Sequence, residues 1–198
     1  MIGGEAYQYP EYYISHYKTK ALDVVEIDPV STEIAKKYFF LDDLIRDYRL
    51  NATGRLGLIT ADGRVYLNGT EKTYDAVLND AFSGETPVAT LATAEAAALI
   101  RARLNPGGVY MSNVVGALDR EKDRFLSSEL ATLRTVFPYV YVVPAIAGED
   151  GSQYSNYMVI ASDGALDVPD ALPFSPAEED IVFTDDYCPV EHMYLPER

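Results

Sequence analysis

Glycines and acidic residues recur where the sequence predicts successive strands to end. The set comprises Gly3, Gly4, Glu26, Asp28, Asp62, Gly63 and Asp80. In open parallel sheets, ligands bind beyond the carboxyl ends of the strands, so these residues share the expected ligand edge. Glycines let backbone N–H groups approach a ligand closely, and carboxylates accept hydrogen bonds from hydroxyl and amino groups. The set therefore predicts a cleft for a small polar ligand.

Each acid has a chemical role open to it and a plainer alternative. Glu26 lies about twenty residues after the glycine turn, where an acid binds ribose hydroxyls in dinucleotide-binding folds. Asp62 suits an adenine amino group, and Asp80 suits a position near the reacting atoms. Alternatively, acids at strand ends are solvated or cap the next helix, which is the role we expect for Asp28 before Pro29. Their repetition at successive strand ends favours a nucleoside cleft.

The glycine turn does not suit a phosphate group. The sequence has no G-x-x-x-x-G-K-[ST], and it departs from G-x-G-x-x-G because Glu5 and Ala6 follow the glycines. The carboxylate of Glu5 would repel a pyrophosphate. A nucleoside sulfonium, S-adenosylmethionine or its decarboxylated form, therefore fits better than NAD or ATP.

The elements that must position these residues alternate between strand-like and helix-like segments. Buried strands are predicted at 21–28, 55–62, 74–82, 108–115, 139–146 and 155–162. A helix is predicted over 90–106, where strong helix formers precede a breaker at 105–108. The alternation indicates an α/β fold with a mostly parallel sheet and helices on both faces. The short gap before the last strand predicts a C-terminal antiparallel hairpin. Residues 1–163 form the predicted nucleoside-binding domain, and residues 164–198 a tail that packs on or near it.

The first core strand is predicted to be truncated, because only Met1 and Ile2 precede the glycine pair. We expect Met1 to Gly3 to form at most a stub. Such a strand normally lies mid-sheet, and its loss would expose the edges of its two neighbours. The expectation is that the native chain starts further upstream, or that a homodimer or an upstream domain fills the gap.

Composition and charge argue against several functions. The 198 residues carry a formal net charge of −15 with no cluster of Lys and Arg, which argues against nucleic acid binding. One cysteine and two histidines argue against a zinc site, and we predict no metal. The apolar runs are too short to span a bilayer and no signal peptide is visible, so we predict a cytoplasmic protein. The acidity either keeps the protein soluble or attracts a cationic substrate.

Six motifs together resemble the spermidine-synthase-like aminopropyltransferases, a group with the Rossmann-like class I methyltransferase fold. In chain order they are IGGEAYQYP, VVEIDP, TADGRVYL, YDAVLNDAFSG, LNPGGVYMSNV and TDDYCPVE. The resemblance implies a nucleoside site made of Gly3, Gly4, Glu5, Glu26, Ile27, Asp62, Gly63 and Asp80. It implies that Glu26 binds the ribose, that Asp62 lies beside the adenine, and that Asp80 accepts a proton from the attacking amine.

The sequence also departs from the pattern of that family. The places of a third glycine and of an acid that grips the aminopropyl end hold Glu5 and Ala6, with Glu5 as a shifted substitute. The place of the second aspartate in the catalytic loop holds Ser83, and no N-terminal β-rich domain is visible. We assign Tyr7, Tyr9 and Ser83 to the substrate. For the two tyrosines, cation–π contact with an alkylammonium chain and plain packing both remain open.

These observations predict a spermidine synthase-like transferase that moves an aminopropyl group from decarboxylated S-adenosylmethionine to a polyamine. One alternative is a non-catalytic or incomplete module of the same group that needs an upstream segment or a partner. Another is an S-adenosylmethionine-dependent methyltransferase on the same scaffold. In each case the expected ligand is a nucleoside, and whether the chain is an active enzyme is left open.

Overall fold

The computed structural model describes residues 1–4, 6–83 and 86–193. The chain forms two compact units, Met1–Gly69 and Thr70–Arg198. Within the described ranges, each helix is too short or too polar to cross a bilayer.

The first unit is built on two parallel strands. Its elements are α1 (Gln8–His16), β1 (Leu22–Glu26), α2 (Pro29–Tyr38), α3 (Leu41–Asp47), α4 (Leu50–Thr53), β2 (Leu56–Thr60) and α5 (Gly63–Gly69). β1 pairs with β2 in an unbroken register that ends with Glu26 opposite Thr60. Both strands therefore end at the same edge, and the residues that follow them lie side by side.

A short stub lies beside β1, as the sequence predicts. Ile2 forms a parallel bridge with Val25, whose N–H donates to the Met1 carbonyl at 2.9 Å. The Gly3 N–H donates to the Val25 carbonyl at 2.9 Å. The stub thus carries the glycine turn to the carboxyl end of β1.

Helix α2 begins at the residues that the sequence indicates. Asp28 Oδ1 accepts a hydrogen bond from the Val30 N–H at 2.8 Å, and Pro29 is the first helical residue. A proline costs nothing there because its missing N–H would have no partner inside the helix. The capping role expected for Asp28 is confirmed, and the apolar core behind it comprises Tyr7, Ile14, Val24, Ala35, Leu41, Leu44 and Leu50.

The second unit contains a four-stranded mixed sheet. The strands of this unit are β3 (Tyr74–Asn79), β4 (Phe82–Ser83), β5 (Thr86–Pro87), β6 (Leu104–Gly116), β7 (Tyr139–Pro144) and β8 (Ser155–Ser162). The sheet has the order β3-β6-β8-β7, and β4 pairs only with β5. β3 and β6 are parallel, whereas β8 runs antiparallel to both β6 and β7. The predicted C-terminal hairpin is confirmed.

The helices of the second unit depart from the prediction at one place. They are α6 (Ala89–Ala92), α7 (Ala94–Ala102), α8 (Phe125–Arg134) and α9 (Val190–Met193). The single helix expected over 90–106 is wrong in its extent, because the Thr93 hydroxyl accepts the Ala96 N–H at 3.2 Å and begins a new helix. A threonine can thus interrupt a run of strong helix formers by capping.

The predicted breaker at 105–108 lies inside a strand rather than before it. Tyr74 pairs with Leu104 and Ala76 with Val109, so the register shifts across this segment. Gly107 has a φ of 79°, which a residue with a side chain rarely adopts. The segment therefore forms a β-bulge near the start of β6.

The C-terminal segment packs on helix α8. The N–H of Ile181 donates to Ser128 Oγ at 3.0 Å, and the N–H of Phe183 donates to Thr132 Oγ1 at 2.9 Å. Phe183 is fully buried and stacks on Phe125, with 5.7 Å between ring centroids. The segment thereby covers the face of α8 that would otherwise meet solvent.

Candidate functional site

The glycine turn and Glu26 form one hydrogen-bonded structure. The Gly4 N–H donates to Glu26 Oε2 at 2.7 Å, and the Asp28 N–H donates to Glu26 Oε1 at 2.9 Å. The Glu26 side chain is buried, with 8% of the residue exposed. Each carboxylate oxygen can accept a second hydrogen bond. Glu26 thus fixes the turn and keeps acceptor capacity for a ligand hydroxyl.

The Tyr7 ring packs against the glycine turn from the protein interior. A Cβ added to Gly4 would lie 2.9 Å from the Tyr7 ring, so only glycine fits there without a shift. Tyr7 is 2% exposed, and its hydroxyl shares a hydrogen bond of 2.7 Å with Thr32 Oγ1. Burial raises the pKa of Tyr7. Of the two alternatives left open by the sequence, packing describes this residue, which offers little surface to a substrate.

Tyr9 lies on the outside of helix α1 instead. It is 37% exposed, and its ring centroid is 6.1 Å from that of Tyr13, which in turn lies 5.0 Å from Tyr17. Burial and the neighbouring tyrosines raise the pKa of Tyr9. An exposed aromatic face of this kind is compatible with cation–π contact. A substrate role for Tyr9 stays a prediction.

Asp62 and Gly63 stand at the end of β2, where helix α5 begins. Asp62 Oδ1 accepts the Val65 N–H at 2.9 Å and so caps that helix. A role for Asp62 at an adenine amino group stays a prediction. Ile27 follows Glu26 at the end of the neighbouring strand and is 65% exposed. The first unit thus brings Gly3, Gly4, Glu26, Ile27, Asp62 and Gly63 to one edge of its paired strands.

Asp80 directly follows β3 in the second unit. Its side chain is half-buried, and Oδ1 accepts a hydrogen bond from Asn113 Nδ2 at 2.9 Å. Asn113 lies on β6, the parallel neighbour of β3. Ser83 lies in β4 with its backbone opposite Thr86. The role predicted for Glu5 lies outside the described residues.

Sequence reasoning missed the two asparagines that surround Asp80. Asn113 holds the carboxylate, and Asn79 Nδ2 donates to the Tyr110 hydroxyl at 3.3 Å on the other side of the same strand end. The run YMSNVV gave one signal, since two polar residues, Ser112 and Asn113, interrupt an otherwise apolar strand. Without the register between β3 and β6, that signal could not be attached to Asp80.

Among residues 1–4, 6–83 and 86–193, no group of three or more His, Cys, Asp or Glu side chains is placed to hold a metal ion. The acids at the strand ends are instead bonded to backbone N–H groups or to an asparagine amide. These hydrogen bonds to ionised groups fix the orientation of each carboxylate.

The fold is the Rossmann-like fold of the class I methyltransferases, as its similarity to solved structures shows. Residues 8–167 match the family model described as the spermine/spermidine synthase domain. The chain therefore belongs to the spermine/spermidine synthase family, and the resemblance noted in the sequence is confirmed.

Three similar proteins illustrate this membership. The chain is 30% identical over 137 residues to a polyamine aminopropyltransferase of Vibrio vulnificus, a match that covers 67% of this chain and 41% of that protein. A probable spermidine synthase from Corynebacterium glutamicum is similar in structure, with a TM-score of 0.69, 25% identity, and coverage of 83% and 55%. A spermidine synthase in complex with the transition-state analogue AdoDATO gives a TM-score of 0.67 at 18% identity, covering 98% and 65%. The chain thus spans less than half the length of the curated relative.

Proposed function

We propose that this protein transfers an aminopropyl group from decarboxylated S-adenosylmethionine to a polyamine. Family membership and the similarity to a protein named polyamine aminopropyltransferase support the class of reaction. The observation that carries the proposal is the state of Asp80, a half-buried carboxylate whose Oδ1 is held by Asn113 at 2.9 Å. A carboxylate oriented in this way suits a general base.

The nucleoside half of the proposal rests on the first unit. Glu26 already holds the glycine turn through one N–H bond to each oxygen, and its remaining lone pairs would accept the ribose hydroxyls. Asp62 would accept the adenine amino group, and the exposed Ile27 side chain would pack against the base. The complex of a related spermidine synthase with AdoDATO supports an adenosylmethionine-related ligand.

The reaction requires one bond to form and one to break. The neutral amine nitrogen attacks the carbon next to the sulfonium, and the carbon–sulfur bond breaks with its electron pair going to sulfur. The products are a longer amine and methylthioadenosine, a neutral thioether that needs no acid. Asp80 takes the proton that the nitrogen loses, because a protonated amine has no lone pair for attack.

Charge supports an amine as the acceptor. The formal net charge of −15 attracts a polycation over the whole surface of the protein. Ser83 stands in place of a second loop acid, so fewer carboxylates are available to hold the amine. We therefore expect an apparent affinity for the amine that falls as salt rises.

A product assay tests this function. The protein is incubated with decarboxylated S-adenosylmethionine and putrescine, and methylthioadenosine and spermidine are quantified together by chromatography. The proposal requires both products to appear in equal amounts, and to disappear when either substrate is omitted. A well-folded protein that forms neither product contradicts the proposal.

A non-catalytic or incomplete module is the second candidate. It is favoured by Ser83, which stands at the place of an acid. This candidate predicts weak or absent binding of methylthioadenosine to the isolated chain in calorimetry. Tight binding without turnover would support a nucleoside-binding role that lacks the transfer.

A methyltransferase is the third candidate, because the fold is shared and Ala6 stands where an acid would grip the aminopropyl end. Calorimetry with S-adenosylmethionine and with its decarboxylated form separates the two transferases. Tighter binding of the decarboxylated form contradicts a methyltransferase. A cytoplasmic location and a homodimer or upstream-domain partner remain predictions for cell fractionation and for sedimentation.

A further inference from the structure

A cleft in the second unit lies between β7, at the edge of its sheet, and the C-terminal segment that runs beside this strand. The cleft has a volume of about 400 Å³, which is enough for a small organic molecule. Its walls come from residues 138–141 and 171–175, together with Arg134 at the end of helix α8. None of the residues that we assign to aminopropyl transfer lines it. The cleft is therefore a second place where a ligand can bind.

The cleft opens because the C-terminal segment diverges from β7 after one bridge. Leu172 pairs antiparallel with Val142, and its N–H donates to the Val142 carbonyl at 2.8 Å. The ring of Pro173 fixes φ near about −65°, far from the φ of about −140° that an antiparallel strand requires. Backbone groups alternate sides along a strand, so Val140 turns its N–H and C=O to the same side as Val142. The wall of the cleft thus contains a main-chain donor and a main-chain acceptor.

The charge of the cleft differs from that of the whole protein. The chain has 31 Asp and Glu against 16 Lys and Arg, yet the residues that line the cleft include no acid. Arg134 supplies a positive charge, and in the part of the chain that the structure describes no carboxylate forms an ion pair with it. Arg46, Arg101 and Arg120, in contrast, each pair with an aspartate. An unpaired guanidinium suits a carboxylate, because its planar fork can donate to both oxygens.

An aromatic ring of the C-terminal segment supports the Arg134 guanidinium. Arg134 lies over the Phe174 ring at 5.5 Å from the ring centroid, and Arg120 lies over the same ring at 5.5 Å. Arg120 also donates two hydrogen bonds of 2.7 Å to Asp180, which holds the segment beyond Phe174. A cation–π contact does not use the N–H donors of the guanidinium. Arg134 is therefore supported while its donors remain available to a ligand.

The rest of the wall is largely aromatic and apolar. Tyr139 and Tyr141 contribute from β7, and two prolines and Leu172 add apolar surface. The Tyr141 hydroxyl accepts the Leu166 N–H at 2.9 Å, which fixes the position of this side chain. An apolar lining with a few polar groups is typical of sites for organic molecules and unlike a site for a hydrated inorganic ion.

We propose that this cleft binds a small organic carboxylate with an aromatic or aliphatic body. The carboxylate pairs with the Arg134 guanidinium, and the body packs between β7 and residues 171–175. The inference does not depend on the proposed transfer, because the cleft can be filled whether or not the chain is an active enzyme.

The test is a titration of the full chain, labelled with a nitrogen isotope, in which NMR follows the backbone amides. The probes are phenylacetate, indole-3-acetate and hexanoate, which share a carboxylate and differ in their bodies. We expect at least one probe to shift the amide signals of Val140, Leu172 and Phe174 in a saturable way. The neutral amide of that probe has the same shape, and we expect it to bind about tenfold more weakly because the ion pair is lost.

Substitutions at Arg134 test the source of the affinity. Arg134→Gln is expected to weaken binding of the same probe about tenfold or more. Arg134→Lys keeps the charge without the planar fork, so it should weaken binding by less. Arg46→Gln is the matched control, since Arg46 is also an exposed arginine in the last turn of a helix. It changes the net charge equally and is expected to leave the affinity unchanged.

The inference is overturned if none of the three carboxylates shifts these amide signals, or if the neutral amide binds as tightly as the acid. It is also overturned if Arg134→Gln and Arg46→Gln bind the probe equally well. The comparison of acid and amide uses the wild type, so it decides the question even where Arg134→Gln does not fold. Self-association in sedimentation that Arg134→Gln abolishes, without binding of any probe, would assign the cleft to a second copy of the chain and overturn the inference as well.

Discussion

Glu26 and Asp80 are both carboxylates at strand ends, and they are held in different ways. In the first unit, Glu26 is fixed by backbone N–H groups of Gly4 and Asp28, which belong to the turns around it. In the second unit, Asp80 is fixed by the side-chain amide of Asn113 on a neighbouring strand. The position of Glu26 therefore depends on the local backbone conformation, and the position of Asp80 depends on one side chain of another strand.

The difference matches the two tasks that we propose. A residue that binds a nucleoside needs a fixed position, and backbone donors supply it with little freedom lost on binding. A general base needs an orientation that suits proton transfer, and a side-chain donor can supply it. The following predictions test this contrast, beginning with the largest expected effect.

Asp80→Asn is expected to lower kcat for aminopropyl transfer about 10²- to 10⁴-fold, the usual contribution of a positioned general base. The free energy of unfolding should change by less than about 0.5 kcal/mol, because the amide can still contact Asn113. Steady-state kinetics and urea unfolding measure the two quantities. Asp75→Asn is the matched control on the same strand, since Asp75 is exposed and contacts Asn105. Equal losses in both variants would contradict the role of Asp80.

Glu26→Gln is expected to weaken methylthioadenosine binding by about 1–3 kcal/mol and to lower the free energy of unfolding by a similar amount. Both Glu26 oxygens accept backbone N–H groups, so one of them would face a second donor in the amide. Calorimetry and urea unfolding provide the two values. Asp28→Asn removes a charge nearby and keeps a good cap, so it should change little. A loss of binding without a loss of stability would show that the backbone does not depend on Glu26.

Gly4→Ala is expected to lower the free energy of unfolding by about 1–3 kcal/mol, because its Cβ would press on the buried Tyr7 ring. Thermal unfolding gives the measurement. Gly69→Ala is the control, as a Cβ at Gly69 meets no atom within 4 Å. An unchanged free energy of unfolding in Gly4→Ala would mean that the turn shifts to admit the methyl group and is not fixed by the residues around it.

Glu129 should make stability depend on pH in a stated direction. Burial in helix α8 raises its pKa from 4.5 to about 7 in the folded protein, so folding favours the protonated form. The contribution is fully present below about pH 4.5 and is lost as the pH rises through about 7. Glu129→Gln is expected to flatten this part of the curve, and Glu121→Gln, which removes an exposed charge nearby, is not. Urea unfolding from pH 5 to 8 checks it, and identical curves for wild type and Glu129→Gln would contradict a buried ionisable Glu129.

Local patterns predicted the parts that local interactions build. The strands around Glu26 and Asp62, the C-terminal hairpin and the Asp28 cap each follow from apolar runs, turn residues and a proline. The motifs that place the chain in its family also lie at strand ends, where the chain's course fixes the residues. For this reason the position of Glu26, which backbone N–H groups hold, could be predicted from residue spacing alone.

Contacts between distant segments could not be predicted. Asn113 meets Asp80 only through the register of β6 on β3. Helix α8 has the pattern of an amphipathic helix, yet Phe125 through Leu133 are all buried because the segment around Phe183 covers its outer face. A carboxylate at Glu129 would be expected in solvent until that covering is known. The burial of Tyr7 could not be predicted either. It depends on a left-handed backbone conformation, with a φ of 60°, that places the ring beneath Gly4.

The most direct test of the account is a crystal structure with methylthioadenosine bound. We predict both ribose hydroxyls within hydrogen-bonding distance of the Glu26 carboxylate, the adenine amino group at Asp62 Oδ2, and the base against Ile27. The Gly4 N–H should remain bonded to Glu26 in the complex. Nucleoside density away from Glu26, or a Glu26 side chain that contacts only the protein, would contradict the assignment of the site.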